Sequence, residues 1–196
     1  KKIKVFCPEI NEMYEKGLNY NQYNFNGIDS KLEGKYRKGH FNGVATIVSK
    51  LFELFKPNQA FFGEKDFQQT QIVKRLIDLE KHKTKLIICP TVREKNGLAM
   101  SSRNSLLSKK NRENSSIIFH NLNYVKTHFK KTDFDEIISK CIKSINSCDG
   151  FKTEYFEIVD SFSLSKQKKY CKNKSYRVFV SVMVDEVRLI DNILLN

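Results

Sequence analysis

The apolar positions of the first 90 residues alternate between strand-like runs and helix-like spacing. Across 43–55 they recur at three- and four-residue steps, which predicts a helix with one apolar face. The apolar run at 60–62 lies between Pro57 and Gly63, as expected for a buried parallel strand. The predicted elements of this part are a strand at 3–8, an irregular segment at 11–39 with one short strand around 24–29, a helix at 43–55, a strand at 58–63, a helix at 66–81 and a strand at 85–90.

After about Thr91 the pattern changes to helices followed by strands. Ser108 and Asp133 are suitable N-caps for the helices predicted at 108–130 and 133–147, and strands are predicted at 154–160 and 176–190 with a hairpin turn at 185–186. Alternating strands and helices indicate a doubly wound α/β unit, whereas helices followed by strands indicate a smaller α+β unit. We therefore predict two domains, residues 1–91 and residues 92–196. Ligands of doubly wound sheets bind beyond the carboxyl ends of the strands, here after Phe62 and after Pro90.

Composition fits a folded protein, with 40% apolar and 29% charged residues among the 196. The net charge of +13 suggests a nucleic-acid binder, but it comes from 28 Lys and 7 Arg that are scattered along the chain. Arg is the better planar phosphate binder, and no recognisable nucleic-acid-binding module is present. We therefore expect a solvated basic surface and no nucleic-acid partner.

The cysteines and histidines indicate neither a disulfide framework nor a metal site. The five cysteines form no Cys-x-x-Cys pair and are odd in number, and the four histidines lack the spacing of metal ligands. A membrane span would need about 20 consecutive apolar residues, and no such run occurs. These patterns predict a cytoplasmic protein in a reducing compartment, with no metal held by the chain and no membrane partner.

The first candidate site is the segment 63–69, Gly-Glu-Lys-Asp-Phe-Gln-Gln, where a strand passes into a helix. Free N–H groups at a helix N-terminus favour anions, and Lys65 adds a point charge suited to phosphate. The glutamine side chains offer hydrogen bonds to hydroxyl or carboxylate groups. By itself the segment is equally compatible with an Asp66 that caps the helix beside a solvated Lys65.

The second candidate site is the segment 99–104, Ala-Met-Ser-Ser-Arg-Asn, in a polar loop after Asn96-Gly97. Two hydroxyls and an arginine are suited to binding a triphosphate and to offsetting charge on a leaving pyrophosphate. A serine-rich loop without a ligand is the structural alternative.

Together with Gly39-His40-Phe41-Asn42-Gly43-Val44, these segments resemble the pantothenate synthetases. That family has, in the same order, Gly-His-Phe-x-Gly-Val, Phe-Gly-x-Lys-Asp-x-Gln-Gln and Pro-x-x-Arg-x-x-x-Gly-Leu-Ala-x-Ser-Ser-Arg-Asn. The closing segment at 189–192, Leu-Ile-Asp-Asn, is also similar to the family's ending, so the resemblance covers essentially the whole chain. It implies a Rossmann-like adenylating (nucleotidyltransferase) domain, N-terminally incomplete, followed by a smaller α+β domain.

The resemblance implies a ligase that forms pantoyl adenylate from pantoate and ATP and then transfers the pantoyl group to β-alanine. Mg²⁺ would accompany the triphosphate, and the full-length form would be a homodimer. The implied catalytic residues are Lys65, Ser101, Ser102 and Arg103. The implied ATP-binding set is Gly63, Glu64, Lys65, Asp66, Val92, Met100, Ser101, Ser102 and Arg103, with Val92 and Met100 near the adenine and Gly63 and Asp66 near the ribose. Gln69 and Arg37 would bind pantoate, with Arg37 also near the pyrophosphate and β-alanine side, and His40 would support its loop.

The chain departs from the family pattern in one respect, because no His-x-Gly-His occurs in its 196 residues. In the family this motif precedes the segments named above and helps to stabilise the reacting phosphates. We therefore expect the chain to align with the family from inside the first domain and to be inactive alone. The alternatives are a non-catalytic remnant that pairs with a full-length subunit, another nucleotidyltransferase of the same superfamily, and a basic nucleic-acid binder.

Overall fold

The structure, a computed structural model, describes residues 3–14 and 22–196. In these ranges the chain forms seven α-helices and five strands, joined in places by short 3₁₀ helices at Ile28–Ser30, Glu64–Asp66 and Ser102–Leu106. The order is α1 (Ile10–Met13), α2 (Leu32–Tyr36), α3 (His40–Phe55), β1 (Gln59–Gly63), α4 (Phe67–Leu79), β2 (Lys85–Cys89), α5 (Lys109–Asn114), α6 (Ser116–His128), α7 (Phe134–Asn146), β3 (Phe151–Asp160), β4 (Tyr176–Val184) and β5 (Val187–Leu194).

The first part of the chain has the predicted alternation of helices and parallel strands. β1 and β2 pair in parallel from Gln59 with Lys85 to Gly63 with Cys89, and α4 connects them. The apolar face of α3 packs with that of α4 in one core, as the periodicity predicted. The α/β prediction is therefore confirmed, with the helix bounds shifted by one to three residues. The prediction that the strand at 60–62 is buried is wrong: its residues alternate between exposed and half-buried, and Phe61 is 64% exposed, because among the described residues only β2 pairs with it.

The second part packs two helices against an antiparallel sheet of order β3-β4-β5. The predicted hairpin is confirmed, because Val184 pairs with Val187 and Asp185 adopts the left-handed conformation with φ of 50°. The side chains of Ser108 and Asp133 accept hydrogen bonds from the first turns of α5 and α7, so both predicted N-caps are confirmed. The single helix predicted at 108–130 is instead two helices that meet at Ser115.

Two predicted strands are absent from the described residues. The segment 3–8 is irregular, and Ile3 and Val5 are exposed, because no described strand lies beside it to complete a ladder. Around 24–29 the chain forms a turn and the 3₁₀ helix at Ile28–Ser30 rather than a strand, and α2 follows within the segment expected to be loop. The stretch 15–21 of that predicted loop lies outside the described residues.

The sheet of the second part has both faces buried, and this places the two parts in contact. Alternate residues of a strand point to opposite faces. Val178 and Val180 of β4 join α6 and α7 in one core, whereas Phe179 joins Tyr155 and Val159 of β3 in the core around α3 and α4. One face of β3 and β5 therefore faces the first part and forms one side of the crevice between the two parts. No helix within residues 3–14 and 22–196 is long and apolar enough to cross a membrane.

Candidate functional site

The turn between β1 and α4 presents Lys65 and Asp66 at the carboxyl end of the parallel strands. β1 ends at Gly63, a 3₁₀ turn covers Glu64–Asp66, and α4 begins at Phe67 without an intervening loop. The Asp66 side chain makes no capping hydrogen bond and is exposed. The structural alternative for this segment, in which Asp66 caps the helix, is therefore not what the structure shows.

Lys65 is a half-buried cation that makes no ion pair with any described residue. Burial lowers its pKa from the ordinary 10.5, and the positive charge of Arg103 acts in the same direction. The carboxylates of Asp66 and Asp191 oppose this shift. Lys65 and Arg103, which belong to the two candidate segments, are therefore electrostatically coupled, and an anion beside them would be attracted by both.

The two glutamines at the start of α4 have different surroundings. Gln68 is buried: its Nε2 donates to the carbonyl oxygens of Ile28 and Lys31, both at 2.7 Å, and its Oε1 accepts from the Glu33 N–H at 3.0 Å. Gln68 therefore holds the segment before α2 in place. Gln69 is half-buried and faces the crevice between the two parts.

That crevice gathers Arg37 after α2, His40 at the start of α3, Lys65 and Asp66 of the 3₁₀ turn and Gln69 of α4. Its far wall comes from the second part and includes Tyr155, Phe179, Ile190 and Asp191. Its volume is about 30 Å³, enough for a water molecule, so a larger ligand would enter only if side chains at its mouth move. The structure thus brings together Lys65, Asp66 and Gln69, three of the predicted site residues, with a fourth, Arg37, whose side chain is 43% exposed.

A partly buried ionic network supports this crevice and was not predicted. Arg188 of β5 donates to both carboxylate oxygens of Glu33 at 2.7 and 2.8 Å and to Glu154 at 2.7 and 2.8 Å, and the Tyr155 hydroxyl donates to Glu33 at 2.6 Å. Burial alone would raise the pKa of Glu33, but these donors hold it below its ordinary 4.5. Burial, reinforced by Arg37, lowers the pKa of His40.

The close packing beside Glu33 depends on a glycine. A Cβ added to Gly34 would lie 1.7 Å from the carbonyl oxygen of Asp29, so only glycine fits there. This contact brings the start of α2, and with it the Glu33 carboxylate, against the 3₁₀ helix that precedes it.

The segment 92–104 forms a separate ledge. The Met100 N–H donates to the Val92 carbonyl at 2.9 Å, and both side chains are exposed. Ser101 caps the following 3₁₀ helix by accepting from the Arg103 N–H at 3.2 Å, while Ser102 and Arg103 are exposed. None of these five residues lines the crevice. Arg103 nevertheless affects it, because its positive charge contributes to the lowered pKa of Lys65.

Consecutive residues of β5 connect the ledge to the Lys65 turn. Arg93 makes a two-pronged pair with the carboxylate of Asp191 at 2.5 and 3.0 Å. The side-chain amide of Asn192 donates to the carbonyls of Glu64 at 3.0 Å and Lys65 at 2.8 Å. From the sequence, Asp191 and Asn192 were noted only as part of a family-like ending. Their partners, Arg93 for Asp191 and the Lys65 turn for Asn192, lie about a hundred residues or more away in sequence and were not predicted.

Glu64 was predicted to bind ATP, and its carboxylate has a partner in the structure. It accepts from Arg177 at 2.8 Å, and the Arg177 side chain is 5% exposed. Arg177 thus occupies one carboxylate oxygen of Glu64, whose side chain is 33% exposed. As for metals, residues 3–14 and 22–196 contain no group of three or more His, Cys, Asp or Glu side chains that could hold an ion.

Comparison with known proteins identifies relatives over nearly the whole chain. A sequence profile described as Pantoate-beta-alanine ligase matches residues 1–194. Pantothenate synthetases from Flavobacterium psychrophilum and Christiangramia forsetii are 41% and 42% identical over 98% and 99% of the chain. The chain spans 68% and 69% of these two relatives.

Solved structures agree with the sequence relatives. A pantothenate synthetase from Thermus thermophilus superimposes with a TM-score of 0.86 at 32% identity, covering 96% of this chain and 68% of that one. The pantoate-beta-alanine ligase from Francisella tularensis, described as complexed with beta-gamma ATP and beta-alanine, gives a TM-score of 0.71 at 32% identity, covering 94% of this chain and 62% of that one.

Proposed function

Because the chain belongs to the pantoate-β-alanine ligase family, we propose that it condenses pantoate with β-alanine through a pantoyl adenylate. A carboxylate oxygen of pantoate attacks the α-phosphorus of ATP, and the bond to pyrophosphate breaks. The amine of β-alanine then attacks the pantoyl carbonyl, AMP leaves with that carboxylate oxygen, and the amine loses a proton. Neither step forms a bond to the protein, so the site needs positioned donors and cations rather than a nucleophile.

The observation that carries this proposal is Lys65, a half-buried cation with no ion pair among the described residues, at the point where β1 passes into α4. Burying an unpaired cation costs free energy, and a bound anion removes that cost. In the proposed reaction Lys65 and Arg103 bind the phosphates and stabilise charge on the departing pyrophosphate. Ser101 and Ser102 donate their hydroxyl hydrogens to the same phosphates.

The remaining residues of the site divide between the two substrates. Gln69 and Arg37, which face the same crevice as Lys65, bind pantoate through hydrogen bonds and charge. The exposed side chains of Val92 and Met100 cover the adenine. Gly63, Glu64 and Asp66 lie beside the ribose, and Arg177 orients the Glu64 carboxylate through one of its oxygens.

Mg²⁺ belongs to this proposal as an ion bound to ATP and not as a resident metal. The described side chains do not form a metal site, and Mg²⁺ in nucleotide sites is held largely by substrate phosphates and water. We also propose a cytoplasmic location, which suits five cysteines that form no disulfide, and a homodimer in the full-length form. The division into domains at 91/92 stays a prediction.

We further propose that these 196 residues are inactive by themselves, because they contain no His-x-Gly-His. The test is AMP formation from ATP, pantoate and β-alanine, measured for the chain alone and for the chain extended by the N-terminal segment of a family member that carries the motif. We expect AMP only from the extended protein and only with pantoate present.

In the extended protein Lys65→Ala should reduce AMP formation by at least about a hundredfold, the usual cost of losing a group that stabilises transition-state charge. The matched control is Lys74→Ala, which removes an exposed lysine of α4, the helix that follows the Lys65 turn, and should have no effect. Full activity of Lys65→Ala, or AMP formation without pantoate, would contradict the proposed function.

A further inference from the structure

The two segments that carry the proposed phosphate-binding residues are held by neighbouring residues of one strand. Asn192 is 3% exposed, and its Nδ2 donates to the carbonyls of both Glu64 and Lys65. These two bonds saturate the amide donors of Asn192 and fix two successive peptide groups of the turn. The conformation of the Lys65 main chain is therefore set from β5, across the contact between the two parts.

Asn192 is itself oriented by Arg177. The Asn192 Oδ1 accepts from Arg177 Nη1 at 2.5 Å, and Arg177 Nη2 donates to the Glu64 carboxylate at 2.8 Å. The guanidinium also lies over the Phe67 ring at 3.9 Å. Arg177 thus fixes the orientation of the Asn192 amide and contacts both ends of the turn, at Glu64 and Phe67. The turn is therefore held through its main chain by Asn192 and through its side chains by Arg177.

Asp191 precedes Asn192 in β5 and binds the second segment. It holds Arg93, which also donates to the Gly97 carbonyl at 3.0 Å and stacks on Phe119 at 3.8 Å. Arg93 lies at the base of the ledge that carries Ser101–Arg103. A shift of β5 would therefore move both phosphate-binding segments together.

We propose that Asn192 is a positioning residue that holds Lys65 in the geometry needed for a triphosphate, and that Asp191 sets the ledge at the matching distance. The assignment rests on the proposed function, because it assumes that Lys65 binds phosphate. A catalytic group misplaced by about 1 Å can lower an enzyme's rate by a large factor. The two hydrogen bonds from Asn192 therefore matter for the site, because they fix the main chain that carries Lys65.

The test labels Lys65 directly and needs no turnover. Pyridoxal 5′-phosphate forms an imine with unprotonated lysine amines, and borohydride reduction followed by peptide mass spectrometry gives the labelled fraction of each lysine. The lowered pKa of Lys65 and the positive charge of Arg103 that acts on it favour its labelling by this phosphorylated aldehyde. In the extended protein without further substitution, which is the parent for this test, we expect ATP to protect Lys65 and to leave the exposed Lys74 unprotected.

Asn192→Leu removes both donors at similar side-chain volume, and Asn121→Leu is its matched control. Asn121 is 4% exposed and its amide also makes two hydrogen bonds, to the Ile117 carbonyl and to Ser144 Oγ, in the core of the second part. We expect Asn192→Leu to raise the ATP concentration that protects Lys65 by about tenfold, a factor equivalent to one net hydrogen bond. Asn121→Leu should leave that concentration unchanged.

The outcomes separate the two proposals. No ATP protection of Lys65 in the parent, extended protein would overturn the proposed function and this assignment with it. Protection in the parent that is equally strong in Asn192→Leu would overturn the assignment alone. If Asn192→Leu loses more circular-dichroism signal than Asn121→Leu, ATP protection is measured in Arg177→Lys instead. This variant keeps the positive charge but loses the planar guanidinium that orients Asn192. ATP protection of Lys65 equal to that of the parent would likewise overturn the assignment.

Discussion

Replacing Arg188 by Met should destabilise the protein by leaving a buried carboxylate without its partner. The Arg188 guanidinium bonds both oxygens of Glu33 and one oxygen of Glu154. Glu33 would keep the Tyr155 hydroxyl at 2.6 Å, and Glu154 would keep Ser181 at 3.0 Å. Met has a similar apolar stem, so the change removes mainly the charge and its donors.

The magnitude follows from burial. The Glu33 side chain is 10% exposed and that of Arg188 is 23% exposed. Removing one partner of a buried ion pair costs about 3–5 kcal/mol of unfolding free energy, because the remaining charge is left in a poorly solvated site. The partial exposure of Arg188 and the remaining Tyr155 donor favour the lower limit, so we expect about 3 kcal/mol.

Urea unfolding followed by circular dichroism at neutral pH measures this cost. The double variant Glu33→Gln, Arg188→Met removes both charges and leaves Tyr155 an acceptor, so it should be more stable than Arg188→Met alone. Arg112→Met, at an exposed pair with Glu94, is the control and should change the unfolding free energy much less. A loss below about 1 kcal/mol for Arg188→Met would show that water screens the pair and would refute the reasoning.

Three further predictions concern single positions. Gln68→Met should cost about 2 kcal/mol in urea unfolding, because the main-chain groups that Gln68 satisfies lose their partners, whereas Gln71→Met at a half-buried neighbour should cost little. Asp133→Ala removes the N-cap of α7 and should cost about 1 kcal/mol by the same assay; no change would mean that the cap is replaced by water. Because the folded-state pKa of Glu33 lies below the ordinary 4.5, its contribution is present above pH 4.5 and is lost as pH falls further, and Glu33→Gln should show less acid destabilisation in that window.

The elements that sequence predicted well are those defined by local periodicity. The apolar face of α3 needs only its own residues and a core to pack on. The strand between Pro57 and Gly63 was placed correctly but not its burial, since Phe61 is 64% exposed. The strand expected at 3–8 was wrong because alternation specifies a strand only where a partner completes its hydrogen bonds, and residues 3–14 and 22–196 supply none.

The site was predictable as motifs but not as contacts. Gln68 and Gln69 are adjacent and identical in type, so sequence alone could not show that one is saturated by main-chain bonds while the other faces the crevice. The pairing of Glu33 with Arg188 joins residues 155 positions apart, and that of Asn192 with Lys65 joins residues 127 positions apart. Such pairs depend on how β5 docks against the first part, which no local pattern encodes.

The central claim is that the pantoate carboxylate attacks the α-phosphorus of ATP at the Lys65 site. The direct measurement uses pantoate labelled with ¹⁸O in its carboxylate, the extended protein, ATP and β-alanine, with mass spectrometry of the products. The account predicts one ¹⁸O atom in AMP, none in pyrophosphate, and loss of the labelled AMP in Lys65→Ala. Unlabelled AMP, or ¹⁸O in inorganic phosphate formed together with ADP, would contradict it.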